Sequence, residues 1–143
     1  MNSPLFPDVN VWLALHHQIH EHHEKALAWF EGLDTERRLV FCRQTQMGFF
    51  RLLTTGAVMG DEVLTKRQCW TLYRRWISGG KATLVNEPAK VSQVFEQRTM
   101  TDAASPKEWT DAYLAAFAET ARIQLVTFDR ALAGKAKGTV LLG

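Results

Sequence analysis

The chain has 143 residues, of which 46% are hydrophobic and 22% charged, with a formal net charge of +2 at pH 7. This length suits one domain spanning residues 1–143 that buries its core without disulfides, and the composition excludes a disordered tail or a coiled coil. Cys42 and Cys69 show no metal-ligand spacing, and the early apolar run Val11 to Leu15 is too short for a signal core or a membrane span, so we expect a cytoplasmic protein that binds no membrane.

Short apolar runs alternate with helical periodicities, which is typical of an α/β fold with a parallel sheet. In the first half, the pattern predicts a strand at Leu5–Phe6, a helix from near Val9 that ends before a histidine cluster, a helix at about Glu24–Leu33, a strand at Leu39–Cys42, a helix capped by Thr45 that runs to about Thr54, and a turn at Gly56–Asp61.

The second half continues the same alternation. The predicted elements are a helix at Lys66–Ile77 ended by Gly79 and Gly80, a strand at Thr83–Val85, a helix at Pro88–Arg98, a polar loop at Thr99–Ala104, a helix from Pro106 to about Ala121, a strand at Leu125–Thr127 and a candidate fifth strand at Val140–Leu142. Ser105 as cap, Pro106 at the first helical position and Glu108 three residues past the cap give the long helix a strong start signal.

Two aspartates follow predicted strands. Asp8 comes directly before the apolar run from Val9 to Leu13, and Asp129 comes directly after the segment Leu125–Phe128. In an open parallel sheet, ligands gather beyond the carboxyl ends of the strands, which would direct both acids into one crevice. Each aspartate, taken singly, is equally well explained as the cap of the helix that follows it.

Asp111 favours the crevice interpretation, because it lies inside a predicted helix on the apolar stripe formed by Leu114, Ala115 and Ala118. A carboxylate on a buried stripe costs several kcal/mol unless another group compensates its charge. A divalent cation shared with Asp8 and Asp129 would compensate it, and a solvent-facing position at the sheet edge is the alternative. Oxygen ligands select hard cations, so we expect Mg²⁺ or Mn²⁺ at a site able to hydrolyse a phosphodiester.

Three segments, FPDVNVWLAL, CRQTQMGFFRLLTT and WTDAYLAAFAETARIQLVTFDRAL, together resemble the PIN-domain family and, within it, the VapC-type toxins. The resemblance runs in order from Asp8 to Leu132. It implies a three-layer α/β/α sandwich with a central parallel sheet of four to five short strands. It also implies a toxin endoribonuclease that cleaves RNA with Mg²⁺ or Mn²⁺, with Asp8, Asp111 and Asp129 as the catalytic and metal-binding acids.

The chain departs from the family pattern at the helix after the second strand, where members usually carry a glutamate and this chain has Gln46. A neutral glutamine removes one negative charge from the site, which puts occupancy by two metal ions in doubt. Glu108 is a candidate replacement for that charge, although capping of its helix is the favoured role. Thr127 is a further auxiliary candidate, able to hydrogen-bond Asp129 or a water on the metal.

Several side chains are candidates for contact with RNA, to which the small net positive charge is no obstacle. Trp109 could stack on a base, although burial against the sheet is the favoured alternative. Arg51 could reach a phosphate or form an ordinary pairing at the edge of the core. The remaining candidates lie near the ends of elements around the expected crevice and are Arg43, Lys107, Arg130 and Lys135.

The histidine cluster between residues 16 and 23 has two interpretations. His16, His20 and His23 would share one face of a continuous helix with spacing suited to Zn²⁺ or Ni²⁺. We favour a polar connection between two helices, with His23 packing or capping.

Two functional hypotheses compete. The leading one is a metal-dependent endoribonuclease toxin that, by the resemblance, is neutralised by a small antitoxin and forms a homodimer through its early helices. The other is a non-catalytic PIN-like module that binds RNA or an antitoxin, which the glutamine at position 46 favours. A third chemistry, phosphate transfer through an aspartyl phosphate on Asp8, is disfavoured because Asn10 stands where a second acid is expected.

Overall fold

Five parallel strands form one sheet at the centre of the molecule. The computed structural model describes residues 3–143. The strands lie in the order β3-β2-β1-β4-β5, with every neighbouring pair parallel. Their bounds are β1 Leu5–Pro7, β2 Leu39–Phe41, β3 Ala82–Leu84, β4 Gln124–Thr127 and β5 Val140–Leu141. The parallel sheet, including its fifth strand, confirms the sequence prediction.

Helices connect the strands and cover the sheet. Their bounds are α1 Val9–His16, α2 His23–Glu31, α3 Arg43–Leu53, α4 Gly56–Met59, α5 Lys66–Ser78, α6 Val91–Thr99, α7 Glu108–Ala121 and α8 Arg130–Ala133, and a short 3₁₀ helix spans Gly60–Glu62.

Alternating side chains of the strands point to opposite faces of the sheet, and both faces are apolar. In β1, Leu5 packs into a core formed with α1, α2, α3 and α5, while Phe6 packs into a second core formed with α6, α7 and α8. In β4, Val126 joins the first core and Leu125 the second. The protein is therefore a three-layer α/β/α sandwich, as the sequence predicted.

The strand order places a topological switch point beside β1. From β1 the chain moves to β2 and β3 on one side, and then returns to build β4 and β5 on the other side. Leu5, Phe6 and Pro7 pair with residues 124, 125 and 126 of β4. The crevice beyond the carboxyl ends of β1 and β4 is the position at which open α/β sheets bind ligands.

Four predicted boundaries were wrong, each for a local reason. The turn predicted at Gly56–Asp61 is helical over Gly56–Met59, because Met59 is buried in the first core. The helix predicted from Pro88 begins at Val91, whose N–H donates to the Pro88 carbonyl in a preceding turn.

The two other corrections concern helix starts near the candidate site. Thr45 is not the cap residue of α3, since the helix begins at Arg43 and the Thr45 hydroxyl accepts a hydrogen bond from the N–H of Cys42. The helix predicted from Pro106 begins at Glu108, whose N–H donates to the Ser105 carbonyl in a turn.

Close contact between α1 and α3 requires a glycine at position 48. A Cβ built on Gly48 would lie 2.8 Å from Cγ2 of Val9, a stiff β-branched side chain. Val9 is the first residue of α1 and follows Asp8 directly. The missing side chain therefore lets α3 pack against the start of the helix that Asp8 caps.

Two further observations concern the cysteines and the helices. Cys42 and Cys69 are buried free thiols, and burial raises the pKa of both. Among residues 3–143, no helix has the length and apolarity needed to cross a membrane.

Candidate active site

Asp8 lies at the carboxyl end of β1 and caps α1. Its Oδ1 accepts a hydrogen bond of 3.1 Å from the N–H of Val11, and its Oδ2 accepts one of 2.5 Å from the Thr127 hydroxyl. The side chain is buried, with 7% of the residue exposed. Burial raises the pKa of Asp8 above its ordinary value, although these two hydrogen bonds act in the opposite direction. Asp8 is therefore both a helix cap and a desolvated acid.

Thr127, the last residue of β4, links the two strands that carry the acids. Its hydroxyl donates to Asp8 and accepts a hydrogen bond of 2.9 Å from the N–H of Asp129. Thr127 is fully buried, so these are contacts in the interior of the site. The sequence analysis suggested a bond to Asp129, and the structure adds the bond to Asp8.

Asp129 follows β4 by two residues and caps α8. Its Oδ1 accepts hydrogen bonds of 2.8 and 3.4 Å from the N–H groups of Ala131 and Leu132, and its Oδ2 lies 3.4 Å from Nζ of Lys107. Burial alone would raise the pKa of Asp129, but these N–H groups and the lysine outweigh it and lower the pKa. Both aspartates that follow strands are thus helix caps as well as residues of one crevice.

Asp111 lies in the first turn of α7, on the stripe that the sequence predicted. Leu114, Ala115 and Ala118 are almost fully buried, and Asp111 is 8% exposed. Burial and the negative charge of Asp129 raise the pKa of Asp111. The positive charges of Lys107 and Lys135 act in the opposite direction without outweighing the burial. Within residues 3–143, the structure contains no hydrogen bond to this carboxylate, so it lacks the direct hydrogen-bonded partners that Asp8 and Asp129 have.

The three acids are grouped around Asp129. Asp8 and Asp129 line one cavity of about 280 Å³, and the charge of Asp129 raises the pKa of both Asp8 and Asp111. No three His, Cys, Asp or Glu side chains of the described chain stand together as a ready metal-binding group. The crevice is therefore shared, but its carboxylates are not gathered into a closed ligand set.

The donor chemistry of the crevice nevertheless fits a hard divalent cation. Mg²⁺ keeps several waters and is usually held by one or two carboxylates together with substrate phosphates. Asp8 and Asp129 supply two carboxylates at one cavity, and Asp111 is a buried acid whose charge has no hydrogen-bonded partner in the described residues. These residues meet the requirement of Mg²⁺ or Mn²⁺ without a third preassembled ligand.

Gln46 is buried in α3, and its side chain is hydrogen-bonded to Arg43. Its Oε1 accepts a hydrogen bond of 2.5 Å from Nη1 of Arg43. The same two residues act on the phenol of Tyr73. Burial raises the pKa of Tyr73, while a hydrogen bond with Gln46 and the positive charge of Arg43 oppose that effect. Gln46 is absent from the lining of the cavity between Asp8 and Asp129. Among residues 3–143, no hydrogen bond joins Gln46 to any of the three acids, and its auxiliary role stays a prediction.

Glu108, the other auxiliary candidate, is bonded to a lysine. Its Oε1 lies 2.9 Å from Nζ of Lys135. Hydrogen bonds from Lys135 and Ser105 lower the pKa of Glu108, and its negative charge contributes to raising the pKa of Asp111. Glu108 is therefore close enough to influence the site electrostatically while its carboxylate is paired elsewhere.

The residues predicted to contact RNA differ in their distance from the acidic site. Lys107 lies at the site through its ion pair with Asp129, and Arg130 is exposed at the start of α8. Arg51 lies eight residues into α3, which places it about 12 Å along the helix from the carboxyl edge of the sheet. Trp109 is 57% exposed, so the favoured expectation that it is buried against the sheet was wrong.

The histidine cluster forms a connection between α1 and α2, as favoured from the sequence. His23 is anchored by a hydrogen bond of 2.6 Å between its Nδ1 and the Ala14 carbonyl, and His16 accepts a hydrogen bond of 2.8 Å from the Trp76 indole. The helix is not continuous through the cluster, so the spacing that suggested Zn²⁺ or Ni²⁺ does not produce a shared face.

The sequence analysis assigned no role at the acidic site to the five residues that line the cavity with Asp8 and Asp129, one of which is Phe128, directly before Asp129. Asn10 lies two residues after Asp8, and its position beside the acid was accessible from the sequence. His20, Glu21 and His22 reach the same cavity only because their connection folds back against the segment after β4. Sequence spacing carries no signal for that approach.

Fold and site together define a class of protein: a three-layer α/β/α domain with acids grouped beyond the carboxyl ends of adjacent parallel strands. The family model described as PIN domain matches residues 5–138. The chain belongs to the PIN-domain family.

Curated relatives are similar over most of the chain. Ribonuclease VapC41 of Mycobacterium tuberculosis is 37% identical over 131 residues, covering 89% of this chain and 90% of the relative. Ribonuclease VapC44 of the same species is 34% identical over 132 residues, covering 88% of this chain and 86% of the relative.

Solved structures agree on the fold. A chain in the structure of FitAB bound to an IR36 DNA fragment superimposes with a TM-score of 0.63 and 17% identity, covering 96% of this chain and 93% of that one.

Proposed function

We propose that this protein is a divalent-metal-dependent endoribonuclease that acts as the toxin of a toxin–antitoxin pair. The observation that carries the proposal is the cavity at the switch point of the sheet, which Asp8 and Asp129 both line, together with the charge of Asp129, which raises the pKa of Asp8 and of Asp111. The similarity to ribonucleases VapC41 and VapC44 supports RNA as the substrate.

The residues of the site have distinct roles in this proposal. Asp8 and Asp129 would hold Mg²⁺ or Mn²⁺ at the cavity, and Asp111 would contribute a third negative charge to the site. The cation would neutralise charge on the phosphodiester and lower the pKa of a water that attacks it. Thr127 holds the Asp8 carboxylate in place, and Lys107, paired with Asp129, is positioned to attract the phosphate backbone.

A cleavage assay with purified protein tests the proposal. Labelled single-stranded RNA is incubated with wild-type protein in Mn²⁺, in Mg²⁺ and in EDTA. We expect fragments with either metal, none in EDTA, and none with Asp8→Asn. Asp61→Asn is the matched control, because Asp61 is an exposed aspartate in the 3₁₀ helix and lies outside the cavity.

The assay must separate enzyme activity from contamination and from misfolding. Activity that persists at full strength in Asp8→Asn would assign cleavage to a contaminant and contradict the proposal. Circular dichroism and a thermal melt of each variant exclude unfolding as the cause of lost activity.

A non-catalytic binding module is the second candidate. It is favoured by Gln46, which is neutral and bonded to Arg43, and by the absence of a ready three-residue metal group among residues 3–143. This candidate predicts that wild-type protein and Asp8→Asn bind RNA equally and that neither cleaves it with Mn²⁺.

The biological role has its own tests. We place the protein in the cytoplasm, where induced expression of wild type should arrest bacterial growth and Asp8→Asn should not. A short upstream reading frame encoding an antitoxin should restore growth when co-expressed. We also propose a homodimer, supported by exposed Met47 on α3 and Trp70 on α5, and light scattering of the purified protein should then give twice the monomer mass.

A further inference from the structure

The connection between α1 and α2 forms one wall of the acidic cavity. Besides Asp8 and Asp129, the cavity is lined by His20, Glu21 and His22 of this connection and by Asn10 and Phe128. Its volume of about 280 Å³ lies just below the range of about 300–1,000 Å³ typical of small-molecule sites, which suits one flat group rather than a large ligand. The cavity therefore extends the candidate active site beyond its acids.

This wall is held in a defined conformation by its own hydrogen bonds. The N–H of His20 donates to the His17 carbonyl at 2.9 Å, and the N–H of His23 donates to the His20 carbonyl at 3.0 Å. The N–H of His22 donates to Nδ1 of His20 at 3.0 Å. Because Nδ1 accepts, the neutral His20 ring carries its proton on Nε2 and offers a donor there.

Stacking of two rings holds the connection between α1 and α2 against the segment that carries Asp129. The His22 ring stacks on Phe128 with a centroid distance of 4.3 Å and an interplanar angle of 13°. Phe128 directly precedes Asp129, so the stack fixes the position of His22 relative to the acid. The cavity thus has flat aromatic surface next to the group expected to hold the metal.

Polar groups of the cavity are available for a ligand. The Glu21 side chain is 82% exposed, and its one ion-pair contact among the described residues is with Nε2 of His22 at 3.6 Å. The Asn10 side chain is exposed and makes no hydrogen bond within residues 3–143. The three carboxylates of this cavity repel a phosphate but accept hydrogen bonds from amino groups.

We propose that this cavity binds one unstacked base of the RNA, next to the phosphodiester that is cleaved, and that it prefers a base with an exocyclic amino group. Glu21 accepts a hydrogen bond from the amino group, and the His22–Phe128 pair supplies stacking surface. Single-stranded RNA is commonly read in this way, by stacking on aromatic rings and by hydrogen bonds to base edges. This inference rests on the proposed ribonuclease function.

Cytidine and uridine provide the sharpest test, since their bases differ by an amino group against a carbonyl at one position. Binding of fluorescent cytidine and uridine octamers to protein in EDTA is measured by anisotropy, which is independent of catalysis. We expect wild type to bind the cytidine octamer roughly 5-fold more tightly, the lower end of the discrimination that a bidentate contact to a base provides. Equal binding of the two octamers would overturn the proposal.

Substitutions assign the discrimination to residues. Glu21→Gln should abolish or reverse it, because the amide can donate to the uracil carbonyl. His22→Ala should weaken both octamers together, since stacking does not depend on the base edge. Glu24→Gln, an exposed glutamate in the first turn of α2, is the matched control and should bind like wild type. Discrimination that is unchanged in Glu21→Gln would overturn the assignment to Glu21.

Failure of this inference can be distinguished from failure of the proposed function. RNA cleavage with Mn²⁺ but no discrimination between the octamers would refute the base subsite alone. Discrimination without cleavage would support the subsite and refute the nuclease.

Discussion

Asp111 provides a test in which stability and activity change in opposite directions. Its carboxylate is buried on the apolar stripe of α7, and burial and the charge of Asp129 raise its pKa. The ionised side chain therefore destabilises the folded state at neutral pH. Asp111→Asn keeps the shape and removes the charge, so we expect the metal-free variant to be more stable than wild type while RNA cleavage is lost.

The magnitude follows from the cost of the buried charge. Desolvation of an unpaired polar group costs about 1–3 kcal/mol in proteins, and the amide retains part of that cost, which leaves a gain of about 1 kcal/mol. For 143 residues the unfolding entropy near 60 °C is about 0.3 kcal/mol/K, so this gain raises Tm by about 3 °C.

The effect must depend on pH with a definite sign. A carboxyl whose pKa is raised by folding destabilises the native state when ionised. This cost is full above the raised pKa, falls as the pH drops through it, and disappears below the ordinary value of 3.8. The Tm difference between Asp111→Asn and wild type should therefore be largest near pH 7 and shrink towards pH 3.8. Melts in EDTA at several pH values measure it.

Added metal should reverse the order of stability. Binding to the native state stabilises it by about 2.7 kcal/mol at one hundred times Kd, so wild type should gain about 9 °C in Mg²⁺. Asp111→Asn should gain less. A variant that melts several degrees below wild type in EDTA at pH 7 would refute the argument that the ionised carboxylate destabilises the fold.

Three other substitutions test the contacts around the site. Asp129→Asn should abolish cleavage but lower Tm by about 1–3 °C, because the lowered pKa of Asp129 means that its ionised form stabilises the fold; an increase in Tm at pH 7 would contradict this. Thr127→Val should lower the free energy of unfolding, measured by urea denaturation, by about 1–3 kcal/mol. It should also shift the acid limb of the pH–rate profile to higher pH, because Asp8 loses a hydrogen bond that lowers its pKa. Thr127→Ser should retain the wild-type profile. Gly48→Ala should lower the free energy of unfolding by about 1 kcal/mol, although alanine has the better helix propensity, because its Cβ would clash with Val9. Combining it with Val9→Ala should remove this loss of stability. A stabilised Gly48→Ala single variant would show that α1 and α3 separate at no cost.

Local sequence patterns determined most of the secondary structure and the buried position of Asp111. Alternating apolar runs and capping residues predicted the parallel sheet and most of its helices, because these patterns depend on residues close in the chain. The stripe of Leu114, Ala115 and Ala118 likewise identified Asp111 as a carboxylate on a buried face, which the structure confirms. The PIN-like resemblance, from Asp8 to Leu132, also came from the sequence.

Only the tertiary structure decided which groups meet. The pairing of β1 with β4 brings Thr127 to Asp8 across a separation of 119 residues, a contact that no local pattern encodes. The same packing turns Gln46 towards Arg43 and folds Glu21 over the acidic cavity. These outcomes depend on strand order and on the return of a loop to the sheet, and both are set by the burial of the two cores as wholes rather than by spacing along the chain.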